Sequence, residues 1–180
     1  NALSLASGAN GIANGSLSLN GVAISTSSTT RSARALAEAI NSQSEKTGVT
    51  ATAGSTATTP DLFAGFGSVS AATGSSYAMS VGGVQLASIN AGGTVTAAGI
   101  DTNLASAGTR NALAAANITV SGSAADGTLQ FSAADGSTID VTETVTGAVT
   151  GGIKHADTEA NTGATTPATA GVTLRSNDGN

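Results

Sequence analysis

The dipeptide Asn20-Gly21 constrains this chain more than any other feature, because it stands between two short alternating runs, Leu17-Ser-Leu19 and Val22-Ala-Ile24. Asn and Gly both accept the positive φ angles of a two-residue hairpin turn at little steric cost. Two-residue closure pairs Leu19 with Val22 and Leu17 with Ile24, and cross-strand partners share a face, so all four side chains fall on one side of the ribbon. That face needs a cover. Between residues 30 and 47, Ala33, Leu36, Ala37 and Ile40 recur at i, i+3, i+4 and i+7, which makes one apolar helical stripe. Ser28, Thr29 or Thr30 is expected to cap its first turn, Lys46 suits the negative end of the helix dipole, and Gly48 suits a left-handed stop. Gly48-Val-Thr-Ala-Thr-Ala53 then reads as a strand. The prediction is a β-β-α-β unit over residues 15–53, with Leu36 and Ile40 packed on Leu17, Leu19, Val22 and Ile24.

The plan recurs. Met79-Ser-Val81, Gly82-Gly83 and Val84-Gln-Leu86 form a second two-residue hairpin, in which Val81 is expected opposite Val84 and Met79 opposite Leu86. A weaker helix is predicted near residues 101–117, with Leu104, Ala112, Leu113 and Ala116 apolar. Gly108 interrupts it, so two short pieces are expected, the second capped by Thr109. Ile118 and Val120 then correspond to Val49 and Ala51 in the strand after the helix. Residues 128–142 read as another hairpin, whose Leu129, Phe131, Ile139 and Val141 share a face if its loop is odd or bulged at Gly136.

The last residues supply the key comparison, since Val172-Thr-Leu-Arg-Ser-Asn-Asp-Gly179 aligns without gaps on Leu129-Gln-Phe-Ser-Ala-Ala-Asp-Gly136. The first module has no such strand directly after Ala53, so residues 172–176 are expected to close it. The organisation expected is therefore α+β: two small modules of mainly antiparallel hairpins, each covered by a short helix, the second inserted in the first. The boundaries are 1–57 plus 168–180 for the first, proximal module and 58–167 for the second, distal one, whose core is 77–142. Turn-rich residues 54–76 carry Phe63 and Phe66, expected to plug the junction of the modules; an exposed aromatic patch is the alternative. Residues 144–150 are expected as a strand, followed to residue 170 by a Thr-, Ala- and Gly-rich return linker containing Pro167. Leu3 and Leu5 alternate as a short edge strand near the beginning. From a loop-like start and a final turn signal at Asp178-Gly179, the sequence is expected to be an excised piece of a longer one.

Composition limits the chemistry. Hydrophobic residues make up 39% of the chain but aromatics only 2%, which favours two thin cores over one large one. A net charge of -5 leaves no basic surface to neutralise phosphates, so nucleic acid is excluded as a partner. Nor is a membrane expected, since the sequence holds no run of about 18 apolar residues. Cysteine is absent, which rules out disulfides and thiolate metal ligands.

His155 is the only histidine, so neither a His-paired metal site nor a Ser-His-Asp arrangement can be built from spacing, and a surface loop is its expected place. Asp61, Asp101, Asp126, Asp135, Asp140, Asp157 and Asp178 are scattered, several beside turn glycines, without the clustered oxygens of a calcium loop. Gly82-Gly83, Gly92-Gly93 and Gly151-Gly152 lack the lysine and strand-to-helix context of a phosphate loop and read as turns. Asn14-Gly-Ser16 and Asn117-Ile-Thr119 match an N-glycosylation pattern that is frequent by chance, and Ile118 is expected in a strand. No catalytic, cofactor-binding or metal site is predicted, no cofactor is called for, and no enzyme activity is expected.

At Leu17-Ser-Leu-Asn-Gly-Val-Ala-Ile24, at Ala35-Leu-Ala-Glu-Ala-Ile-Asn41 and at Thr47-Gly-Val-Thr-Ala51 the chain resembles the hairpin-helix-strand repeat of the variable outer regions of bacterial flagellins, also carried by hook-associated and filament cap proteins. The resemblance covers residues 16–53. It implies a structural subunit of the flagellar filament, secreted and extracellular, whose outer domains face the medium in motility and antigenic display. Implied partners are other filament subunits, met through long terminal helices absent from this stretch, and host surfaces or antibodies. The stretch alone is expected to be monomeric. Ser/Thr-rich loops are the places where the resemblance implies O-linked sugars. The alternatives are the outer domains of a hook-associated or cap protein and, from another class, a glycan-binding or hydrolytic module; the last would need clustered aromatics or paired carboxylates at a cleft, and neither is visible.

Overall fold

A computed structural model describes residues 2–3 and 11–177. In chain order the elements are β1 (Ala2–Leu3), β2 (Ser18–Leu19), β3 (Val22–Ala23), α1 (Ala33–Asn41), α2 (Ser44–Thr47), β4 (Val49–Ala53), β5 (Thr56–Ala57), β6 (Gly67–Ala71), β7 (Ser76–Val81) and β8 (Val84–Ile89). They continue with β9 (Gly93–Val95), α3 (Ala97–Ala105), α4 (Ala107–Ala115), β10 (Thr119–Ser121), β11 (Gln130–Ala133), β12 (Ile139–Thr146), β13 (Val149–Gly152), β14 (Ala164–Ala168) and β15 (Val172–Ser176). Small antiparallel sheets with a few short helices make this an α+β fold, as the sequence predicts. The chain divides into two units: Asn1–Thr56, Ala133–Thr138 and Thr169–Asn180 form one, and Ala57–Ser132 with Ile139–Ala168 form the other.

In the first unit Asn20 and Gly21 take φ values of 50° and 79°, and β2 pairs with β3 through Leu19 opposite Val22. The Ile24 amide donates to the Leu17 carbonyl at 2.9 Å, which extends the predicted ribbon by one rung. Helix α1 buries Ala33, Leu36, Ala37 and Ile40, the whole predicted stripe. Its cap is Ser32, whose Oγ accepts the Ala35 amide at 3.1 Å, rather than Ser28, Thr29 or Thr30. An N-cap side chain reaches only the amides two or three positions ahead, and Thr30 instead accepts the Ser27 amide in the preceding turn. The helix also breaks after Asn41; a separate turn, α2, ends at Gly48, left-handed at φ 64° as expected.

Leu36 and Ile40 share one buried cluster with Ile24, Ala51 and Val172, and Leu17 and Leu19 lie half-buried against it. The hairpin is thus only part of the surface under the helix. Val22 falls outside that cluster, and the larger share comes from the β4–β15 pair. Strand β15 runs antiparallel to β4, with Val172 opposite Ala53 and Ser176 opposite Val49, which meets the expectation that residues 172–176 close the first module. On the other side of β15, Leu3 of β1 lies opposite Val172. Leu5 and the Asp178-Gly179 turn lie outside the described residues.

The second unit is built on the sheet β14-β12-β7-β8. Val81 lies opposite Val84, as the hairpin rule requires, but Met79 faces Ala87 rather than Leu86. Leu86 is an extra residue on β8. The bulge turns both Leu86 and Ala87 inward, so neither is more than 4% exposed, which strict alternation would forbid. Two helices lie against β8: α3 starts at Ala97, and the break falls at Ser106 rather than Gly108. Ser106 accepts the Thr109 amide and donates to its hydroxyl, so Ser106 is the cap that Thr109 was expected to be. Leu104 and Leu113 are buried; Ala112 is exposed.

Strand β10 pairs with β11 so that Val120 faces Phe131, while β4 pairs with β15 so that Ala51 faces Leu174. Under the gap-free alignment these are equivalent pairs. The duplication extends to strand register, although Ile118 precedes β10 rather than lying in it.

Residues 128–142 are not a hairpin. Leu129, Phe131, Ile139 and Val141 are all buried, but β11 pairs with β10 while β12 pairs with β7 and β14. The intervening Ala133–Thr138 belongs to the first unit, where the Gly136 carbonyl accepts the Arg34 amide at 3.2 Å and Thr138 Oγ1 donates to the Arg31 carbonyl at 3.0 Å. Amides in the first turn of a helix have no intrahelical acceptor, and the one at Arg34 recruits this segment.

The expected linker is also ordered. Strand β12 runs to Thr146, β13 pairs with β6, and β14 pairs with β12. The Gly82 amide donates to Asp140, so even-numbered residues of β12 bond β7 and odd-numbered ones bond β14. Pro167, opposite Asp140, therefore has its missing donor on the open edge, where proline is tolerated.

Candidate functional site

Strand β12 reads Ile139-Asp-Val-Thr-Glu-Thr-Val145 with apolar residues at period two, so Glu143 occupies an inward position among aliphatic neighbours. It is 6% exposed. Its Oε1 accepts the Tyr77 hydroxyl at 2.7 Å, the Ile153 amide at 3.1 Å and the Asn161 side-chain amide at 3.2 Å. Asn161 donates in addition to the Gly151 carbonyl at 2.7 Å, and its Oδ1 accepts the Gly163 amide at 2.8 Å. A buried carboxylate is costly unless hydrogen-bonded, and here three donors from two segments, β7 and residues 151–163, converge on one oxygen. The cluster ties β7 and β12 to the 151–163 loop.

Burial pushes the Tyr77 phenol above its ordinary range, and the Glu143 carboxylate opposes a second negative charge beside it. An unfolded tyrosine ionises near pH ~10. The folded state therefore keeps a proton that the unfolded chain loses, so this contribution is complete below pH ~10 and declines as pH rises beyond it. Tyr77 is the only tyrosine. In an alkaline titration its phenolate absorbance is expected to appear in step with unfolding of the second unit; phenolate forming on the ordinary curve in protein that is still folded would contradict this.

Gly152 has φ 113°, and a Cβ there would run into Glu143 Oε1 and Asn161 Nδ2. Gly152→Ala is accordingly expected to destabilise the second unit by roughly 2 kcal/mol or more, from backbone strain added to disruption of the cluster. Denaturant unfolding followed at second-unit amides checks it.

A shallow open groove of about 870 Å³ in the same unit is lined by Asp61, Phe66, Lys154, His155 and Asp157, among others. Asp157 Oδ1 is engaged by the Ser68 amide at 2.6 Å. His155 Nδ1 is buried 3.6 Å from Glu159 Oε1, beyond hydrogen-bond distance, and has no hydrogen-bond partner among the described residues. Phe63 is 1% exposed and packs on Phe131 at a centroid distance of 6.0 Å within the second unit, not in an exposed patch. Phe66 is half-buried, 6.3 Å from Phe63.

The remaining carboxylates are dispersed. Asp101 receives the Ala124 and Ala125 amides at 2.7 and 3.0 Å; Asp126 pairs with Ser123; Asp140 is exposed; Asp178 lies outside the described residues. Asp135 accepts the Ser137 amide and pairs with Arg34 at 2.9 Å, and the Ser137 bond, more than Arg34, holds its carboxyl below the usual range. Among the described residues, no group of three or more His, Asp or Glu could hold a metal ion, and no helix is long and apolar enough to cross a membrane. Asn14 and Asn117 are both exposed.

The sequence reading did not find the Glu143 cluster, although a glutamate at an inward position of a period-two strand is its signal. Asn41 was also missed: its side-chain amide donates to the Ala51 carbonyl at 2.9 Å and its oxygen accepts the Ala51 amide at 2.7 Å, joining helix to strand.

Residues 7–62 match the model of the flagellin hook IN motif, a span that contains the hairpin, both short helices and β4. No curated protein and no solved structure matches the chain.

Proposed function

We propose, on the premise that residues 7–62 carry the flagellin hook IN motif, that this chain is the surface-exposed outer region of a flagellar filament protein, working in motility and antigenic display outside the cell. The motif carries this reading, because it coincides with a hairpin, a capped helix and a strand in the order that gives the first unit its core. In this reading residues 58–167 are a distal insertion between residues 1–57 and 168–180 of a proximal module, to which Ala133–Thr138 of the insertion also belong. Its role is to hold a folded surface to the medium rather than to carry out a reaction. Charged residues are only 9% of the chain, and Ala164 to Pro167 of β14 are all exposed, which supports a surface of small uncharged side chains.

Filament subunits meet through segments outside this stretch, and antibodies or host surfaces meet the stretch itself. Gold-labelled antibodies raised against the 180-residue chain test the assignment on intact flagellated cells that produce it. Labelling along the whole filament is expected. Labelling confined to the hook junction or the tip would assign the chain to a hook-associated or cap protein instead, and unlabelled flagella would overturn the reading.

A further inference from the structure

Among the described residues, strand β4 ends the sheet β1-β15-β4, so its outer side is a sheet edge. The Asn177 amide donates to the Gly48 carbonyl and the Gly54 amide to the Gly171 carbonyl, so even-numbered residues of this strand face β15. Val49, Ala51 and Ala53 must then turn their amides and carbonyls outward. An edge of this kind is a template for pairing with another chain.

We propose that Asn41 is an edge-closing residue, which keeps β4 from pairing with β4 of a second copy of this chain. Its carboxamide offers one donor and one acceptor in the spacing of a peptide group, and it occupies both outward groups of Ala51 at 2.9 and 2.7 Å. Asn41 is itself exposed while Ala51 is buried, so the side chain stands where the next strand would lie. At the start of the edge, Thr47 Oγ1 accepts the Val49 amide at 3.2 Å. Ala51 is the centre of the edge. Two copies related by a two-fold axis would set Ala51 against Ala51 and exchange two hydrogen bonds there, joining the two sheets.

The test uses the 180-residue chain carrying Asn41→Ala, with amide exchange and light scattering over a concentration series. At low concentration the Ala51 amide is expected to lose its protection while Thr50 and Thr52, bonded to β15, keep theirs. As concentration rises, the mass should move from that of a monomer to twice that value and Ala51 should regain protection. Folded Asn41→Ala that remains monomeric throughout, or that leaves Ala51 protected at low concentration, would overturn the proposal. Asn41→Ser, too short to span both groups, is the second variant, expected to associate as well. Loss of the fold in both would make Asn41 a stability residue and would equally overturn its role as an edge guard.

Discussion

Phe131→Ala is expected to lower the stability of the second unit by about 3–5 kcal/mol, the range for truncating a fully buried phenylalanine. Phe131 is 0% exposed, and its backbone is held on both sides, by Val120 in β10 and by Thr58. The Thr58 amide donates to the Phe131 carbonyl at 2.9 Å and Thr58 Oγ1 accepts the Phe131 amide at 3.0 Å. A strand pinned at both edges cannot slide to fill the space that the ring leaves. Replacement volume is also scarce, since the chain has three Phe, one Tyr and no Trp. Denaturant unfolding, with exchange at Val81 and Val141 as second-unit reporters, measures the loss; an unchanged midpoint would refute the packing described for Phe131.

Leu36→Ala is expected to cost the first unit about 2–4 kcal/mol. Leu36 is 0% exposed at the centre of a cluster that draws on the hairpin, α1, β4 and β15. One truncation therefore weakens contacts among elements that have few others to hold them. Exchange at Ile40 and Ala51 should accelerate while Val81 and Val141 hold their protection. Equal acceleration in both units would show that they unfold as one.

What could be read from residues alone was local or strictly periodic. Asn20-Gly21 dictates its own turn, the α1 stripe repeats at the helical period, and the duplicate of β11 at β15 has the same spacing of apolar residues. Each is decided within a few residues. The misassigned parts depend on distant partners. Residues 133–138 look like a hairpin loop until the Arg34 amide and guanidinium are available as partners; the strand end at Leu86 looks regular until packing turns Leu86 and Ala87 inward together. The break at Ser106 rather than Gly108 follows from a hydroxyl able to accept an amide proton, whereas Gly108 does not take the left-handed φ that ends a helix. Glu143 was in plain view by parity, but its donors Tyr77 and Asn161 stand far away in sequence on both sides.

The closing of β4 by β15 also has a kinetic consequence. The first unit's hairpin and helix precede the second unit in sequence, yet the strand that completes its sheet, β15, follows the second unit. Contacts of such long sequence separation are slow to form from a flexible chain, because loop closure must precede any gain from pairing. A second unit that folds first replaces much of that flexible loop with a compact body and shortens the search. The amides of Ala57–Ser132 and Ile139–Ala168 should thus acquire protection before those of Val49–Ala53 when the denatured chain is refolded, so that a strand preceding the second unit in sequence becomes rigid after it.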